Sequence, residues 1–323
     1  MPHPLASSVL HGDRKALAHA ITLVESQLAS DQESAAELLH ALLPHTGNAV
    51  RVGITGAPGV GKSTLIETLG CKLCDQGKKV AVLAVDPSSS ITGGSILGDK
   101  TRMTELSRRA NAFVRPSPGG GTLGGVAART REAMLCCEAA GFDVVLVETI
   151  GTGQSETAVA TMVDVFLLLL SPAAGDELQG IKRGVMELAD LVLVHKADGD
   201  LAAAANRAAQ QCQLALRVLH AGDGEIPSVL TGSSTTGVGI EALWQAIATR
   251  AAAMRADGRL AKRRSAQSTQ WMQAAIHDAL HDAFAQCPSV QREWPTLSAE
   301  VAQGRMLPHT AAKKLVALYR PEA

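Results

Sequence analysis

Aromatic residues are scarce in this chain, and an excess of charge of either sign is missing. Only 2% of the 323 residues are aromatic, whereas 46% are hydrophobic. The core must therefore consist mainly of aliphatic side chains, which is typical of parallel sheets covered by Ala-rich helices. The formal net charge of −1 gives no indication of a nucleic-acid-binding protein, so we expect no nucleic acid among the partners.

Long apolar segments and a cysteine framework are missing as well. The longest apolar stretch, VDVFLLLLSPAA, is too short to span a bilayer, and no basic segment followed by an apolar core opens the chain. We therefore expect a cytoplasmic protein without a membrane partner. Six cysteines do not form a disulfide framework in a chain of this length. The single C-x-x-C, Cys71 and Cys74, lies in a helical pattern, which favours buried small side chains over a zinc site.

Three regions of the chain differ in their hydrophobic pattern. Residues 1–46 are rich in Ala, Leu and Glu with helical spacing, and residues 255–323 return to a helical pattern without strands. In residues 47–254, apolar runs such as KKVAVLAVD and DVVLVET alternate with helical segments. This alternation predicts an α/β fold with a doubly wound, mostly parallel sheet. Ligands of such sheets bind at the carboxyl ends of the strands.

The segment GITGAPGVGKST carries the strongest functional motif. Gly56 to Ser63 matches G-x-x-x-x-G-K-[ST], and it follows a predicted strand and opens a predicted helix, which is the context of a phosphate-binding loop. Backbone N–H groups and the helix N-terminus face phosphate oxygens, Lys62 neutralises the β and γ oxygens, and the Ser63 hydroxyl can bind Mg²⁺. The predicted phosphate-binding residues are Gly56, Ala57, Pro58, Gly59, Val60, Gly61, Lys62, Ser63 and Thr64.

Acidic residues near three strand ends or turns are candidate magnesium ligands. Glu148 ends the strand VVLVET, where the acid of a Walker-B motif belongs, and the N–H of Gly151 in the next turn could meet a γ-phosphate. Asp86 ends another strand, where it could equally cap the next helix. Asp99 lies in a Gly-rich segment that could order around a γ-phosphate as a switch loop does. Together with Ser63, these three acids form the predicted metal site.

The segment LVLVHKADGD ends a predicted buried strand in His-Lys-Ala-Asp, close to the Asn-Lys-x-Asp with which many GTPases recognise guanine. Asp198 can accept hydrogen bonds from guanine N1–H and the exocyclic amine, which adenine does not offer at those positions. The stem of Lys196 can cover the base, and His195 can offer one ring N–H in place of the usual amide. The segment TGSSTTGVGI resembles the loop that backs the base, with Ser233, Ser234 and Thr235. We therefore predict a site for GTP and GDP, somewhat weakened by the histidine.

Several segments together resemble one family, the MeaB-type G-proteins, which include the methylmalonic aciduria type A proteins and were formerly called ArgK or LAO/AO transport kinases. They are GAPGVGKST, VDPSSSITGGSILGDKTRM, RPSPGGGTLGGVA, VETIGTGQSE and SPAAGDELQGIKRGVMELADLVLVHKADGD. The resemblance implies a SIMIBI-like P-loop GTPase fold. It also implies a dimeric GTPase that chaperones an adenosylcobalamin-dependent acyl-CoA mutase, chiefly methylmalonyl-CoA mutase, gating cofactor delivery and protecting or reactivating the mutase.

Residue by residue, the resemblance assigns Asp86, Asp99 and Glu148 to the organisation of Mg²⁺ and the attacking water. It assigns residues 175–184 to a mobile switch that contacts the mutase, and the helices after about residue 255 to a dimerisation arm. The expected catalytic residues are Lys62, Asp99, Glu148 and Lys182. The sequence departs from the family at His195, where Asn is usual, and at Thr152, where Val is usual. These departures suggest a subfamily that serves a related mutase.

The chain has no Asp-x-His-x-x-Gly pattern for cobalamin. We therefore expect a homodimer that holds no cobalamin itself and acts on a partner that does, with an adenosyltransferase as an indirect partner. Two other functions compete with this prediction. One is a P-loop kinase or ATPase that phosphorylates a small substrate or carrier protein, which His195 admits but the absence of an obvious Arg-rich lid opposes. The other is a non-catalytic scaffold that the nucleotide stabilises.

Overall fold

The computed structural model describes residues 3–26, 28–85, 103–116, 123–149, 155–172, 183–221 and 225–319. The chain divides into two compact units, Met1–Ser265 and Ala266–Ala323. The first unit therefore includes both the N-terminal helices and the sheet. The functional boundaries predicted at residues 46 and 254 stay predictions.

The first unit begins with three helices, α1 (Pro4–Leu10), α2 (Arg14–Glu25) and α3 (Ala29–Leu42), followed by a 3₁₀ turn over Leu43–His45. Asp13 caps the start of helix α2, and its carboxylate accepts hydrogen bonds from the backbone N–H groups of Lys15 at 2.7 Å and Ala16 at 3.0 Å. Such a cap satisfies donors that the first helical turn leaves without a partner. One face of α2 is buried, which gives these helices an apolar surface to pack with.

Seven strands form one sheet in which every pairing is parallel. They are β1 (Val50–Gly56), β2 (Val80–Val85), β3 (Ala112–Arg115), β4 (Val144–Thr149), β5 (Val165–Leu170), β6 (Leu191–Val194) and β7 (Ser228–Thr231). Their order is β3-β2-β4-β1-β5-β6-β7, so β2 and β3 lie on one side of β1, β4 returns to lie between β2 and β1, and β5, β6 and β7 extend the other side. The predicted doubly wound sheet is confirmed, and β1 lies at its topological switch point.

Helices cover both faces of this sheet. They are α4 (Lys62–Asp75), α5 (Thr104–Arg108), α6 (Leu123–Ala139), α7 (Ser155–Ala160), α8 (Arg183–Leu188), α9 (Ala202–Leu219) and α10 (Ile240–Ala256). In β5, Leu167 and Leu169 pack into the cluster under α4 and α10, whereas Leu168 and Leu170 pack into the cluster under α8 and α9. Because both faces are buried, the strand reads as a continuous apolar run.

The second unit contains three helical segments. Helix α11 (Arg259–Gln286) begins in the first unit and ends in the second, where α12 (Pro288–Ala302) and α13 (Pro308–Leu318) follow. The small core of this unit consists of Val290, Leu297, Ala311 and Leu315. No helix in the described ranges of the chain is both long enough and apolar enough to cross a membrane.

Buried carboxylates at the amino-terminal edge of the sheet are neutralised by arginines. Asp164, just before β5, accepts two hydrogen bonds from the guanidinium of Arg264 at 2.8 and 2.7 Å. The same guanidinium donates to the carbonyls of Gly47 at 2.6 Å and Ala49 at 2.8 Å. Since a buried charge without a partner is costly, Arg264 fastens the first turns of α11 to the strands of the first unit.

We expect Arg264→Ala to destabilise the protein by about 3–5 kcal/mol, because it leaves the Asp164 carboxylate buried without its cationic partner. Thermal unfolding followed by circular dichroism measures the effect as a fall in Tm. The matched control is Arg259→Ala on the same helix, whose ion pairs with Asp257 and Glu225 are exposed, and it should change Tm little. An equal fall in both variants would contradict the anchoring role of Arg264.

Candidate functional site

The loop between β1 and α4 stands at the carboxyl end of the central strand. Its first glycine, Gly56, has φ 151°, and a Cβ there would lie 2.6 Å from the carbonyl oxygen of Leu169. Gly61, just before α4, has φ 102°, and a Cβ there would lie 2.6 Å from Nδ1 of His195. Both positions therefore require glycine, because neither the backbone conformation nor the space admits a side chain.

Lys62 is held over this loop by the loop itself. Its ammonium donates to the carbonyl of Gly56 at 2.7 Å and to that of Ala57 at 3.2 Å. Burial lowers the pKa of Lys62, and the nearby charges of Glu148 and Glu156 act in the opposite direction. These two contacts use two of the three N–H groups of the ammonium. The side chain is therefore positioned at the loop, with its positive charge directed by backbone carbonyls.

Ser63 and Glu148 come together from neighbouring elements of the site. The Ser63 hydroxyl, in the first turn of α4, donates to Oε1 of Glu148 at 2.8 Å, and the carboxylate is 3% exposed near the end of β4. A hydroxyl and a buried carboxylate are hard oxygen ligands, so this pair fits the donors that Mg²⁺ prefers. The other two predicted metal ligands, Asp86 and Asp99, lie outside the described residues.

No group of three or more His, Cys, Asp or Glu side chains suited to a metal ion occurs among the residues that the structure describes. The predicted site therefore depends on Ser63 and Glu148 together with the two acids outside those ranges. Gly151, Thr152 and Lys182 also lie outside them.

His195 connects the phosphate-binding loop to the segment after β7. Its ring is 3% exposed. Nδ1 lies 2.8 Å from the carbonyl oxygen of Val60, and Nε2 lies 2.7 Å from the hydroxyl of Ser234 and 3.3 Å from its backbone N–H. Both ring nitrogens are thus bonded to protein groups. The one ring N–H that a neutral histidine offers therefore bonds to the phosphate-binding loop, at the Val60 carbonyl.

Lys196 makes a second connection to the same loop. Its ammonium donates to the carbonyl of Gly59 at 2.7 Å, and its own backbone has φ 56°, the left-handed region that side chains other than glycine rarely adopt. The strain is local to the turn that carries the lysine from β6 to the loop. The His-Lys-Ala-Asp pattern alone predicts only that the stem of Lys196 covers a base.

The segment Ser233–Thr235 forms a compact turn beside α4. The buried hydroxyl of Ser233 accepts hydrogen bonds from the backbone N–H groups of Thr235 at 3.2 Å and Thr236 at 3.3 Å. From α4, the hydroxyl of Thr68 donates to the carbonyl of Ser234 at 3.3 Å. Thr68 was not predicted, and nothing in its sequence context marks it. The turn is thereby held against the same helix that begins at the phosphate-binding loop.

Asp198 is half-buried in the loop after β6, where its backbone starts the 3₁₀ turn Gly199–Leu201. With these placements, the described site residues lie at one edge of the sheet, after β1, β4, β6 and β7. They are Gly56, Ala57, Pro58, Gly59, Val60, Gly61, Lys62, Ser63, Thr64, Glu148, His195, Lys196, Asp198, Ser233, Ser234 and Thr235.

Comparison with known proteins identifies related GTPases. The model of a family described as "Methylmalonyl Co-A mutase-associated GTPase MeaB" matches residues 17–289. A putative GTPase of Caulobacter vibrioides is 55% identical, covering 98% of this chain and 97% of the relative. The mitochondrial methylmalonic aciduria type A homolog of Mus musculus is 45% identical, covering 98% of this chain and 79% of the relative. A crystal structure described as a LAO/AO transport system kinase is 38% identical, with a TM-score of 0.76 and coverage of 97% and 95%.

We expect Lys62→Ala to lower GTP turnover by roughly 100-fold or more, because it removes the charge positioned at the phosphate-binding loop. Phosphate release under saturating GTP measures this. Lys72→Ala is the matched control on the same helix, since Lys72 pairs with Glu241 at 2.9 Å and not with the loop. Normal turnover in Lys62→Ala would exclude the lysine from catalysis.

Proposed function

Because this chain belongs to the MeaB family of mutase-associated GTPases, we propose that it is a Mg²⁺-dependent GTPase that chaperones an adenosylcobalamin-dependent acyl-CoA mutase. In this role it gates loading of the cofactor and protects or reactivates the mutase. The observation that carries the proposal is the convergence of a lysine, a hydroxyl–carboxylate pair and a His-Lys-Ala-Asp loop at one sheet edge.

The chemistry of phosphoryl transfer to water fits the residues at the loop. Charge accumulates on the β and γ oxygens in the transition state, and Lys62 is held where it can neutralise that charge. Ser63 and Glu148 would hold Mg²⁺, which neutralises phosphate charge when bound. In the assignment that the family resemblance implies, Asp86 and Asp99 join Glu148 in organising Mg²⁺ and the attacking water.

Guanine selectivity is assigned to Asp198. Its carboxylate accepts from two donors that only guanine presents, while Lys196 and the Ser233–Thr235 turn border the base. A P-loop kinase would need a phosphate acceptor other than water and a site for it. Among the described residues the loops that meet at this edge belong to the nucleotide site, so hydrolysis is the function they support.

We expect GDP to bind at least roughly tenfold more tightly than ADP, because the two guanine donors paired by Asp198 are worth roughly 1–3 kcal/mol each. In Asp198→Ala this preference should largely disappear, while Asp200→Ala, an exposed acid two residues away, should keep it. Isothermal titration calorimetry with both nucleotides measures the ratio. Equal affinities of the wild-type protein for GDP and ADP would refute the guanine assignment.

The mutase partner is supported by the family description and by the relatives. The proposed contact is the segment of residues 175–184, whose last two residues are the first two of α8. We propose that the mutase contacts this segment and brings Lys182 towards the developing phosphate charge. A charge supplied only in the transition state increases turnover more than it increases binding.

We therefore expect slow GTP turnover by the isolated chain and faster turnover with an acyl-CoA mutase, and the ratio of the two rates should fall towards one in Lys182→Ala. Lys262→Ala, which changes an exposed lysine on α11, serves as the matched control. Steady-state phosphate release with and without methylmalonyl-CoA mutase gives both rates. Fast hydrolysis by the chain alone would argue against gating by a partner.

Homodimerisation is also part of the proposal. On α11, Met272, Ile276 and Leu280 follow one another at intervals of four residues and are 58%, 49% and 56% exposed. Residues at this spacing share one face of a helix, and a second copy would remove that apolar face from water. As expected from the sequence, we propose a cytoplasmic protein that holds no cobalamin itself and meets an adenosyltransferase only indirectly.

A further inference from the structure

We infer that His195 is a positioning residue that makes nucleotide binding dependent on pH, because only its neutral ring satisfies every hydrogen bond that connects the phosphate-binding loop to the Ser233–Thr235 turn. The inference rests on the proposed guanine-nucleotide site. It concerns the histidine that distinguishes this chain from the Asn-Lys-x-Asp pattern.

The hydrogen-bond partners determine which nitrogen carries the proton. The carbonyl of Val60 can only accept, so Nδ1 at 2.8 Å must be the donor. The backbone N–H of Ser234 can only donate, so Nε2 at 3.3 Å must be the acceptor. The Ser234 hydroxyl, 2.7 Å from Nε2, can rotate to donate as well. One neutral tautomer, with the proton on Nδ1, satisfies every partner.

A second proton on the ring would break this arrangement. The new N–H at Nε2 could donate to the Ser234 hydroxyl, but it would face the backbone N–H of Ser234, which would lose its acceptor. The ring has little room to turn away, because its Nδ1 lies 2.6 Å from the position that a Cβ on Gly61 would take. The Ser233–Thr235 turn would have to shift relative to the phosphate-binding loop. The groups that bind the base and those that bind the phosphates would then no longer be at the right distance from each other for one nucleotide.

The charges that face the ring come from its own loop and from the phosphate-binding loop. Burial, the largest effect, lowers the pKa of His195; the charge of Lys196 acts in the same direction, whereas the bond to Val60 and the charge of Asp198 oppose it. Lys62, at the end of the phosphate-binding loop, keeps its ammonium on the carbonyls of Gly56 and Ala57. The Ser233–Thr235 turn contributes no ionisable side chain.

The direction of the pH effect follows from this lowered pKa. An unfolded histidine titrates near about 6.5. The folded state takes up its proton at lower pH than the unfolded chain, so stability from the neutral ring is complete above about pH 6.5 and is lost as the pH falls below it. Nucleotide affinity should weaken only as the pH falls through the lowered pKa of the folded histidine, by at most about tenfold per pH unit for one proton.

Asparagine at this position provides the matched comparison. Its amide carries a donor and an acceptor at the same time and does not titrate, so His195→Asn can keep the connection without the pH dependence. His277→Asn changes an exposed histidine of α11 and controls for the loss of a histidine elsewhere. The terminal phosphate of GDP also titrates near about pH 6. The quantity to compare is therefore the ratio of the Kd values of variant and wild type at each pH.

The experiment measures Kd for GDP by calorimetry between pH 5.5 and pH 8.0 with the full chain. For His195→Asn the Kd ratio should be constant above about pH 6.5, and it should change several-fold in favour of the variant as the pH falls from there through the lowered pKa of the folded histidine. For His277→Asn it should stay near one throughout. A constant ratio for His195→Asn over the whole range would overturn the inference. Equal affinities for GDP and ADP at pH 7.5 would instead refute the proposed guanine site.

Two further measurements keep the inference testable if His195→Asn does not fold. In ¹⁵N-histidine-labelled wild-type protein at pH 7.5, the ring of His195 should show a protonated Nδ1 and an unprotonated Nε2. In Ser234→Ala, the Nδ1–H tautomer should persist, because the backbone N–H of residue 234 still requires an acceptor. A proton on Nε2 in either protein at this pH would overturn the inference.

Discussion

The carbonyl groups of the phosphate-binding loop bond to side-chain donors of the protein, and N–H groups of the loop are left available for a nucleotide. Three side chains supply those donors in this structure. Lys62 bonds to the carbonyls of Gly56 and Ala57, Lys196 to that of Gly59, and His195 to that of Val60. Of these residues Val60 is buried, and a buried carbonyl without a partner is costly, so the bond from His195 matters most for the shape of the loop. Two of the three donors come from the loop after β6.

This dependence links phosphate binding to base recognition. His195 and Lys196 belong to the same four residues as Asp198, the residue assigned to guanine. Their bonds place that loop against the phosphate-binding loop, while the bond from Thr68 to the Ser234 carbonyl holds the third segment against α4. A displacement of any one segment would therefore change the geometry of the other two. The use of histidine instead of an amide makes one of these bonds sensitive to protonation.

The two edges of the sheet in the first unit contain different features. At the carboxyl edge, backbone carbonyls and polar side chains converge from β1, β4, β6 and β7 on the candidate site. At the amino edge, buried Asp164 and Glu138 are neutralised by Arg264 and Arg51, with bonds of 2.7–2.8 Å. The ion pairs that anchor the fold thus lie at one edge, and the loops of the candidate site lie at the other. The strands that connect the two edges are buried on both faces.

Patterns that are contiguous in the chain were enough to predict much of this protein. The phosphate-binding motif, the alternation of strands and helices, the acid at the end of β4 and the His-Lys-Ala-Asp loop all depend on neighbouring residues, and local spacing determines their structure. The family, the α/β class and the GTPase activity were therefore accessible from the sequence. The sequence also located the candidate site at strand ends, because parallel sheets bind ligands there.

Only the tertiary structure decided what joins those segments. The strand order, the bond between His195 and Val60, which are 135 positions apart, and that between Arg264 and Asp164, 100 positions apart, leave no local trace. A hydrogen bond depends on distance and direction in space, and folding brings together residues whose sequence separation carries no information about either. For that reason the sequence by itself could identify His195 as a departure from the usual asparagine, but only the fold showed that both of its nitrogens serve to connect two loops.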